Sequence, residues 1–350
     1  MNNYFNKMRK CIELASQAIG QTSPNPMVGC VILDKNGNEI ANGYHKKYGE
    51  FHAEREALNK LENAKDCTLI VNLEPCCHQG KTPPCTDIII EKGIKTIVYG
   101  MKDPNPLVSG KGLEILKKAG IEIVGPVLEE KCKKLNEIFI KNKTKNLPFI
   151  AIKIATTIDG KISTSNGNSK WITGENARKK GKQLRTYYDA ILTSSSTILA
   201  DNPEMKHKKK IILDRELKTD INSRIYKDGE IYVFCKNPQT DRVNNITYIK
   251  TPLTKDKLDI EFVLKKAYEL GIMSIFIESG GILNGSFLAY ADKLYHFIAP
   301  KILSDNNGKS CFNGYNMTEI SQCFSLNYEK TEIYQPDILN IYSINRHKNQ

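Results

Sequence analysis

Apolar and polar positions follow two alternating patterns along the first 125 residues. Short apolar segments bounded by turn residues predict β-strands, and they lie at 28–34, 39–46, 68–76, 96–100 and 121–125. Helices are predicted where apolar residues recur every three or four positions, or where proline and glycine mark the two ends, at 52–64, 83–93 and 112–120. Strands that alternate with helices in this way predict a three-layer α/β domain.

The pattern restarts in the second half, after a helix predicted at 129–149 that fades into a lysine-rich joint before Pro148. The segment 149–162 predicts a strand followed by a glycine turn. Further strands are predicted at 190–194, 210–214, 230–235, 273–281 and 293–303, and helices at about 174–188 and 260–271. No internal repeat relates the two halves. We therefore expect two different α/β domains, at 1–145 and 146–350.

The net charge of +12 derives mostly from lysines that are spread along the chain. Aromatic residues make up only 8% and form no RNA-recognition signature, so a solvated lysine-rich surface is favoured over a nucleic-acid interface. Positive potential also suits small phosphorylated substrates. No apolar segment approaches the roughly 20 residues that cross a bilayer, and the N-terminus lacks the apolar core of a signal peptide. We therefore expect a cytoplasmic protein with neither a nucleic-acid nor a membrane partner.

Three of the ten cysteines lie between positions 76 and 85. A disulfide framework would distribute its cysteines through a small secreted chain, so this cluster indicates metal-bound thiols. The segment "NLEPCCHQGKTPPC" (72–85) alone fits no ordinary zinc-finger spacing. Its partner lies upstream in "FHAERE" (51–56), where His52 and Glu54 flank an alanine at a predicted helix start.

One histidine and two cysteines from these segments can converge on a zinc ion, because His52 and Cys85 lie at predicted helix starts and Cys76 at a strand end. A catalytic zinc keeps one position open for water and lowers its pKa to about 7. Glu54 is then placed to pass a proton to a leaving amine. Zinc deaminases share His-x-Glu and Pro-Cys-x-x-Cys, whereas eight residues separate the two cysteines here.

Spacing alone leaves Cys77 and His78 as rivals for the remaining ligand position. We favour Cys85 because "TPPC" places it at a helix start, and because Cys77 directly follows Cys76 and would strain a shared tetrahedron. The structural alternatives are a chance grouping of buried thiols and a closed zinc site with four protein ligands. Such a site would leave Glu54 without a role, so we favour catalysis.

Three segments resemble the deaminase domain of the bifunctional riboflavin biosynthesis protein family: "TSPNPMVGCVI" (22–32), "GYHKKYGEFHAE" (43–54) and "LEPCCHQGKTPPC" (73–85). That family has a cytidine-deaminase-like fold and the longer gap between its two zinc cysteines. The resemblance implies zinc ligands at His52, Cys76 and Cys85, with Glu54 as the catalytic proton shuttle. It also implies a pocket for a ribosyl-phosphate pyrimidine that is lined by Asn25, His45, His78 and Lys81.

The second half resembles the reductase domain of the same family in "ATTIDGKIST" (155–164), "SKWIT" (169–173), "LRTYYDAILTSSSTILADNPEM" (184–205) and "ESGG" (278–281). Such a domain is similar to dihydrofolate reductase in fold and uses NADPH. The resemblance implies cofactor contacts at Ala155, Trp171, Thr197, Asp201, Gly280, Gly281, Ile282, Leu283, Asn284, Gly285 and Ser286. It implies substrate contacts at Ser169, Arg185, Met205, Lys208 and Glu278. Lys208 stands where the family usually has arginine.

The resemblance therefore implies a riboflavin biosynthesis enzyme with zinc and NADPH as cofactors. The resemblance implies deamination of 2,5-diamino-6-(5-phosphoribosylamino)pyrimidin-4-one to 5-amino-6-(5-phosphoribosylamino)uracil, followed by reduction of the ribosyl group to ribityl. We also expect a homo-oligomer. Two alternatives are a tRNA-type nucleic-acid zinc deaminase with an appended RNA-binding domain, and a zinc-binding interaction protein without enzymatic activity.

Overall fold

The computed structural model describes residues 2–79, 83–106 and 108–345, and the chain divides into two compact units, Met1–Asn146 and Leu147–Gln350. The helices of the first unit are α1 (Asn2–Ser16), α2 (Ala53–Leu58), α3 (Cys85–Glu91), α4 (Lys111–Lys118), α5 (Glu129–Leu135) and α6 (Glu137–Lys145). Its strands are β1 (Gly29–Leu33), β2 (Glu39–Tyr44), β3 (Thr68–Val71), β4 (Thr96–Tyr99) and β5 (Glu122–Val124). They form one sheet in the order β2-β1-β3-β4-β5, in which β3, β4 and β5 are parallel.

Helices cover both faces of this sheet. A side-chain carbon added at Gly29 of β1 would lie 2.1 Å from the carbonyl oxygen of Cys11 in α1. Gly43 of β2 pairs with Cys30, the residue after Gly29, and therefore faces the opposite side of the sheet. There an added carbon would lie 2.7 Å from the carbonyl oxygen of Ala53 in α2. The helices α1 and α2 thus pack on opposite faces, which confirms the predicted three-layer α/β arrangement.

Two predicted helices differ from the structure, and the first is α2. It ends at Leu58, although the apolar spacing predicts a helix to residue 64. The ammonium group of Lys92 donates to the carbonyl oxygens of Leu61 and Glu62, at 2.8 and 3.0 Å. The side chain of Lys92 thus supplies hydrogen bonds to carbonyl groups that would otherwise bond within a longer helix, and the helix ends at Leu58.

The second difference lies in the helix predicted at 129–149. The structure divides it into α5 and α6 at Asn136, whose backbone leaves helical geometry with φ −104° and ψ 23°. The side chain of Asn136 is buried and binds both backbone groups of Met27, with its Oδ1 accepting at 2.8 Å and its Nδ2 donating at 3.0 Å. This long-range pairing offers the asparagine an alternative to the helix.

The second unit is built on one large sheet. Its helices are α7 (Glu175–Arg185), α8 (Ser195–Asp201), α9 (Ile260–Glu269) and α10 (Gly281–Phe287), with short 3-10 turns at Arg224–Lys227 and Ile320–Gln322. Its strands are β6 (Phe149–Thr157), β7 (Lys161–Ser163), β8 (Ala190–Ser194), β9 (Lys209–Leu213), β10 (Glu230–Cys235), β11 (Arg242–Val243), β12 (Ile246–Lys250), β13 (Leu253–Thr254), β14 (Lys257–Leu258), β15 (Ser274–Ile277), β16 (Lys293–Ala299), β17 (Lys309–Ser310), β18 (Ser325–Tyr334) and β19 (Asp337–Asn345).

Ten of these strands form the sheet, in the order β11-β12-β10-β9-β8-β15-β6-β16-β19-β18. All neighbours from β12 to β16 are parallel, and the strands at both edges are antiparallel. The carboxyl ends of β6, β8 and β15 therefore meet at one edge of the sheet, where ligands of open α/β sheets commonly bind. Within the described ranges, no helix is both long and apolar enough to span a bilayer.

The pair β18–β19 was not predicted. The strand β18 is exposed along most of its length, and its sequence "SLNYEKTEIY" lacks the regular apolar alternation of a half-buried strand. The strand β19 packs its Leu339 into the core, and β18 contributes its last residue, Tyr334, whose ring lies 6.5 Å from that of the buried Phe297.

Candidate functional site

Three donor atoms from distant segments converge in the first unit. The Nδ1 atom of His52, just before α2, lies 3.4 Å from the Sγ atom of Cys76 and 3.4 Å from that of Cys85, the first residue of α3. All three donor atoms lie within 4.8 Å of one another. Tetrahedral zinc with sulfur and nitrogen ligands places neighbouring donors about 3.6 Å apart. One imidazole and two thiols at these distances fit zinc and leave a fourth position open.

The rival ligands lie outside this donor group. Cys77 is half-buried, and burial raises the pKa of its thiol above the ordinary value, which disfavours a thiolate. His78 is exposed at the edge of the adjoining cavity. By contrast, the contact with the Cys85 side chain, together with His52, lowers the pKa of Cys76 to about 4, which favours a thiolate ligand. Among the described residues, only His52, Cys76 and Cys85 form such a group.

Glu54 lies beside these donors, in the first turn of α2, and its side chain is buried. Burial raises the pKa of its carboxyl group to about 7, and the neighbouring Cys76 sulfur contributes in the same direction. A carboxyl group that changes protonation near neutral pH can both accept and donate a proton. The arrangement therefore combines a metal-type donor set with an acid–base group.

A cavity of about 300 Å³ opens onto these residues and is also lined by Asn25, His45 and His78, as the resemblance implies. His45 is buried, which lowers the pKa of its imidazole. Its Nδ1 lies 3.0 Å from the carbonyl oxygen of Phe51, so this nitrogen carries the proton. Its Nε2 then accepts from the Nδ2 group of Asn25 at 3.2 Å. The predicted contact Lys81 lies outside the described residues.

The cavity has further lining residues that the sequence did not predict: Tyr48, Glu50, Glu74, Asp103, Asn105, Val108, Phe139 and Lys143. Burial raises the pKa of Asp103, and its carboxylate accepts from the backbone N–H of Asn105 at 2.8 Å. A signal for this segment was present, because polar residues come soon after the strand β4, the parallel neighbour of β3. The carboxyl ends of neighbouring parallel strands meet at one edge of a sheet, so the segment after β4 belongs beside Cys76.

In the second unit, three charged side chains meet where the ends of β15 and α7 lie near the middle of β6. The Nε and Nη2 groups of Arg185 donate to the two carboxylate oxygens of Glu278, at 2.5 and 3.0 Å. Burial alone would raise the pKa of Glu278, but Arg185 and Lys153 outweigh it and hold the pKa below its usual value. Burial lowers the pKa of Lys153. Two predicted substrate contacts, Arg185 and Glu278, are thus brought together.

Hydroxyl groups gather at the ends of β8 and β15, around the predicted cofactor contact Thr197. Its Oγ1 lies 3.1 Å from the Oγ of Ser279, which lies 3.0 Å from the Oγ of Ser194. Gly280 comes directly after Ser279 and precedes α10. The two serines were not predicted, although "TSSST" and "ESGG" contain them. Hydroxyl groups and open backbone at a strand end are suited to a phosphate-bearing ligand.

Several residues predicted between Gly280 and Ser286 have packing roles in the structure. A side-chain carbon added at Gly285 would lie 1.8 Å from the carbonyl oxygen of Asn313, and one at Gly281 would lie 2.2 Å from that of Ser310. Asn284 is buried and donates to the carbonyl oxygens of Ser279 and Cys311. Ile282 is exposed, whereas Leu283 and Ser286 are half-buried. Their cofactor contacts stay predictions.

The remaining predicted contacts do not form one group, and Lys208 directly precedes β9, at the opposite edge of the parallel strands from Thr197. Trp171 is 62% exposed, and the guanidinium group of Arg178 lies 4.6 Å from its ring centre. Met205 is buried in an apolar cluster, so it faces the core in this structure. The other predicted positions are Ala155 and Ser169, both half-buried, and Asp201 and Lys208, both exposed.

Comparisons with known proteins cover both units. Residues 1–101 match the family model described as the cytidine and deoxycytidylate deaminase zinc-binding region, and residues 148–339 match that of the RibD C-terminal domain. Riboflavin biosynthesis protein RibD of Actinobacillus pleuropneumoniae is 39% identical, over 96% of this chain and 94% of its own length. The Escherichia coli protein of the same name is 33% identical, over 95% of this chain and 96% of its own.

Solved structures agree over nearly the whole chain. RibD of Acinetobacter baumannii superposes with a TM-score of 0.89 at 29% identity and covers 98% of this chain and 99% of its own. A diaminohydroxyphosphoribosylaminopyrimidine deaminase/5-amino-6-(5-phosphoribosylamino)uracil reductase of Thermotoga maritima has a TM-score of 0.88 at 37% identity, with the same coverage.

Proposed function

Because this chain belongs to the RibD family of riboflavin biosynthesis proteins, we propose that its first domain, 1–145, carries the deaminase site and its second, 146–350, the reductase site. The chain is a bifunctional enzyme of riboflavin biosynthesis, a zinc-dependent deaminase and an NADPH-dependent reductase. This relationship favours the enzyme over the alternatives, a nucleic-acid deaminase with an RNA-binding domain and a zinc-binding interaction protein.

The substrate we propose is the one named for the Thermotoga maritima enzyme, a diaminopyrimidinone that carries a phosphoribosylamino group. A net charge of +12 suits such an anionic substrate. His78 at the cavity edge, together with Lys81, is proposed to contact its phosphoribosyl part. A cytoplasmic location and a homo-oligomeric state stay predictions.

For deamination, we assign His52, Cys76 and Cys85 as the residues that hold zinc, which acidifies a water molecule when bound. Glu54 accepts a proton from the attacking water and delivers it to the departing nitrogen. A carbon–oxygen bond forms at the ring carbon, its carbon–nitrogen bond breaks, and ammonia leaves. The single observation that carries this assignment is the position of Glu54, buried beside three convergent donors in one cavity.

Asn25 and His45 are proposed to orient the pyrimidine ring. Because the Nε2 of His45 accepts one N–H of Asn25, the amide of Asn25 is fixed with its oxygen and its second N–H left for the substrate. The Nδ1–H of His45 donates to the carbonyl oxygen of Phe51 and thereby fixes the tautomer. This arrangement presents both an acceptor and a donor to the ring.

For reduction, NADPH would supply a hydride to the anomeric carbon of the ribosyl group. The bond between that carbon and the ring oxygen breaks, and a proton completes the new hydroxyl group on the former ring oxygen. We propose that Glu278 fixes the guanidinium group of Arg185 and leaves its Nη1 for the substrate. Thr197 and the segment from Gly280 are proposed to bind the cofactor phosphates. The protein mainly positions the two reactants, as is usual for nicotinamide-dependent enzymes.

The test uses the zinc-loaded full chain and the diaminopyrimidinone phosphate, with and without NADPH, and identifies the products. Without NADPH we expect ammonia and the aminouracil phosphate, and with NADPH the ribityl product. Glu54→Gln preserves shape and removes the acid–base group, so ammonia release should fall about 10²- to 10⁴-fold. NADPH oxidation on the deaminated substrate should be unchanged.

A matched control is Glu62→Gln, on an exposed residue just after α2. It should leave both activities unchanged. Loss of both activities in Glu54→Gln, or of neither, would refute the proposed division between the two units.

A further inference from the structure

The residue before Pro75 in the zinc-ligand segment has an unusual environment. Glu74 is only 3% exposed, yet among the described residues it forms no ion pair. Its carboxylate accepts three backbone N–H groups: Oε2 from Asp103 at 3.1 Å and Gly110 at 2.9 Å, and Oε1 from Gly112 at 3.0 Å. Peptide groups thus satisfy this buried charge in place of a cation.

The three donors belong to residues 103–106 and 108–112, which we call the pocket wall. Its members Asp103, Asn105 and Val108 line the deaminase cavity. The wall leads into α4 at Lys111, so the carboxylate also lies at the N-terminus of that helix, where negative charge is favourable. Glu74 therefore connects the zinc-ligand segment, two residues before Cys76, to the pocket wall.

A second contact joins the same two segments. A side-chain carbon added at Gly112 would lie 2.2 Å from the carbonyl oxygen of Pro75 and 3.3 Å from Oε1 of Glu74. The wall can approach the zinc-ligand segment this closely only because residue 112 is glycine. Both observations indicate that the separation of wall and metal site is tightly set.

We infer that Glu74 is a positioning residue for the deamination reaction: its carboxylate holds the pocket wall at the distance that the pyrimidine substrate requires. This inference rests on the proposed deaminase function. A neutral amide cannot replace the carboxylate, because one of its arms would present N–H groups to backbone N–H donors. Glutamine at 74 therefore loses one or two of the three hydrogen bonds and releases part of the wall.

The test is Glu74→Gln in the full zinc-loaded chain, with steady-state deaminase kinetics as the readout. We expect KM for the diaminopyrimidinone phosphate to rise about tenfold, equivalent to about 1.4 kcal/mol, with kcat changed less than threefold. Zinc content and NADPH oxidation on the deaminated substrate should equal those of the wild type. Glu114→Gln, at an exposed position in α4, is the matched control and should leave KM unchanged.

A second variant approaches the same contact from the wall. Gly112→Ala introduces a carbon that must displace the wall from Pro75, and it should raise KM in the same way while zinc is retained. An unchanged KM in Glu74→Gln would overturn the inference, and so would loss of zinc, which would assign the residue to holding the metal site together. If the wild type releases no ammonia, the proposed function fails instead.

Discussion

Replacing Glu278 by glutamine tests how far the charges at the reductase site depend on one another. Glu278 binds Arg185 through two parallel hydrogen bonds and lies near Lys153, and burial lowers the pKa of that lysine. Its backbone is held separately, because its N–H donates to the carbonyl oxygen of Leu192 and its own carbonyl accepts from Thr193. The substitution therefore removes one negative charge and leaves the strand end in place.

Burial determines how much stability the protein loses on Glu278→Gln. The side chains of Arg185 and Glu278 are only 18% and 12% exposed, so losing the carboxylate leaves a guanidinium group partly desolvated without its counter-charge. Removing one partner of a buried pair costs about 3–5 kcal/mol, and we expect the lower end here because some water reaches both groups. For a unit of this size, that corresponds to a decrease in Tm of about 6–12 °C.

The assay is thermal unfolding of the full chain, in which the transition of the second unit should shift and that of the first should not. The exposed pair between Glu261 and Lys265, with side chains 58% and 61% exposed, supplies the control. Glu261→Gln should lower Tm by less than about 2 °C, because exposed pairs contribute little. A double variant, Arg185→Met with Glu278→Gln, should be more stable than Glu278→Gln alone. A shift below about 2 °C in Glu278→Gln would contradict this reasoning.

Three further predictions concern the same unit. Trp171 is the chain's single tryptophan and 62% exposed, so NADPH should quench its fluorescence, and a titration without quenching would exclude it as a cofactor contact. Burial lowers the pKa of His296 from 6.5 to about 4, so between these values the unfolded chain binds a proton that the folded chain does not. The free energy of unfolding should therefore fall by up to about 3 kcal/mol as the pH decreases through this window. Denaturant unfolding of His296→Gln should show a flatter pH profile. An unaltered profile would argue against His296 as the group responsible. Gly285→Ala would place a carbon 1.8 Å from the carbonyl oxygen of Asn313 and should cost about 3 kcal/mol or more in thermal unfolding, whereas Gly280→Ala, with open space around it, should cost less than about 1 kcal/mol.

The metal-type donors could be predicted from the sequence because each is marked by local features. His52 precedes a helix, Cys85 begins one, and Cys76 comes after a buried strand, and these are properties of short segments. Spacing could not eliminate Cys77 and His78. That step needed the three-dimensional distances, which place the rivals outside the group of donors.

The pocket wall could not be predicted in the same way, because its role depends on pairings between distant segments. Asp103 lies beside Glu74 only because β3 and β4 are parallel neighbours. The break at Asn136 has the same origin: its amide binds Met27, which is 109 residues away, and nothing in the local pattern of a polar helix marks that contact. Local periodicity predicts an element, whereas its ends and its partners depend on the tertiary structure.

The two sites compensate buried carboxylates by different means, and this difference determines what a neutral replacement does. At Glu278 the compensating groups are cations, so glutamine leaves positive charge stranded, and removal of a cation should restore stability. At Glu74 they are three backbone N–H groups, which no change of side chain other than proline can remove, and the φ of 83° at Gly110 excludes proline there. A second-site variant that rescues Glu278→Gln therefore has no counterpart for Glu74→Gln, whose defect should be relieved only by a side chain that restores a carboxylate at that distance.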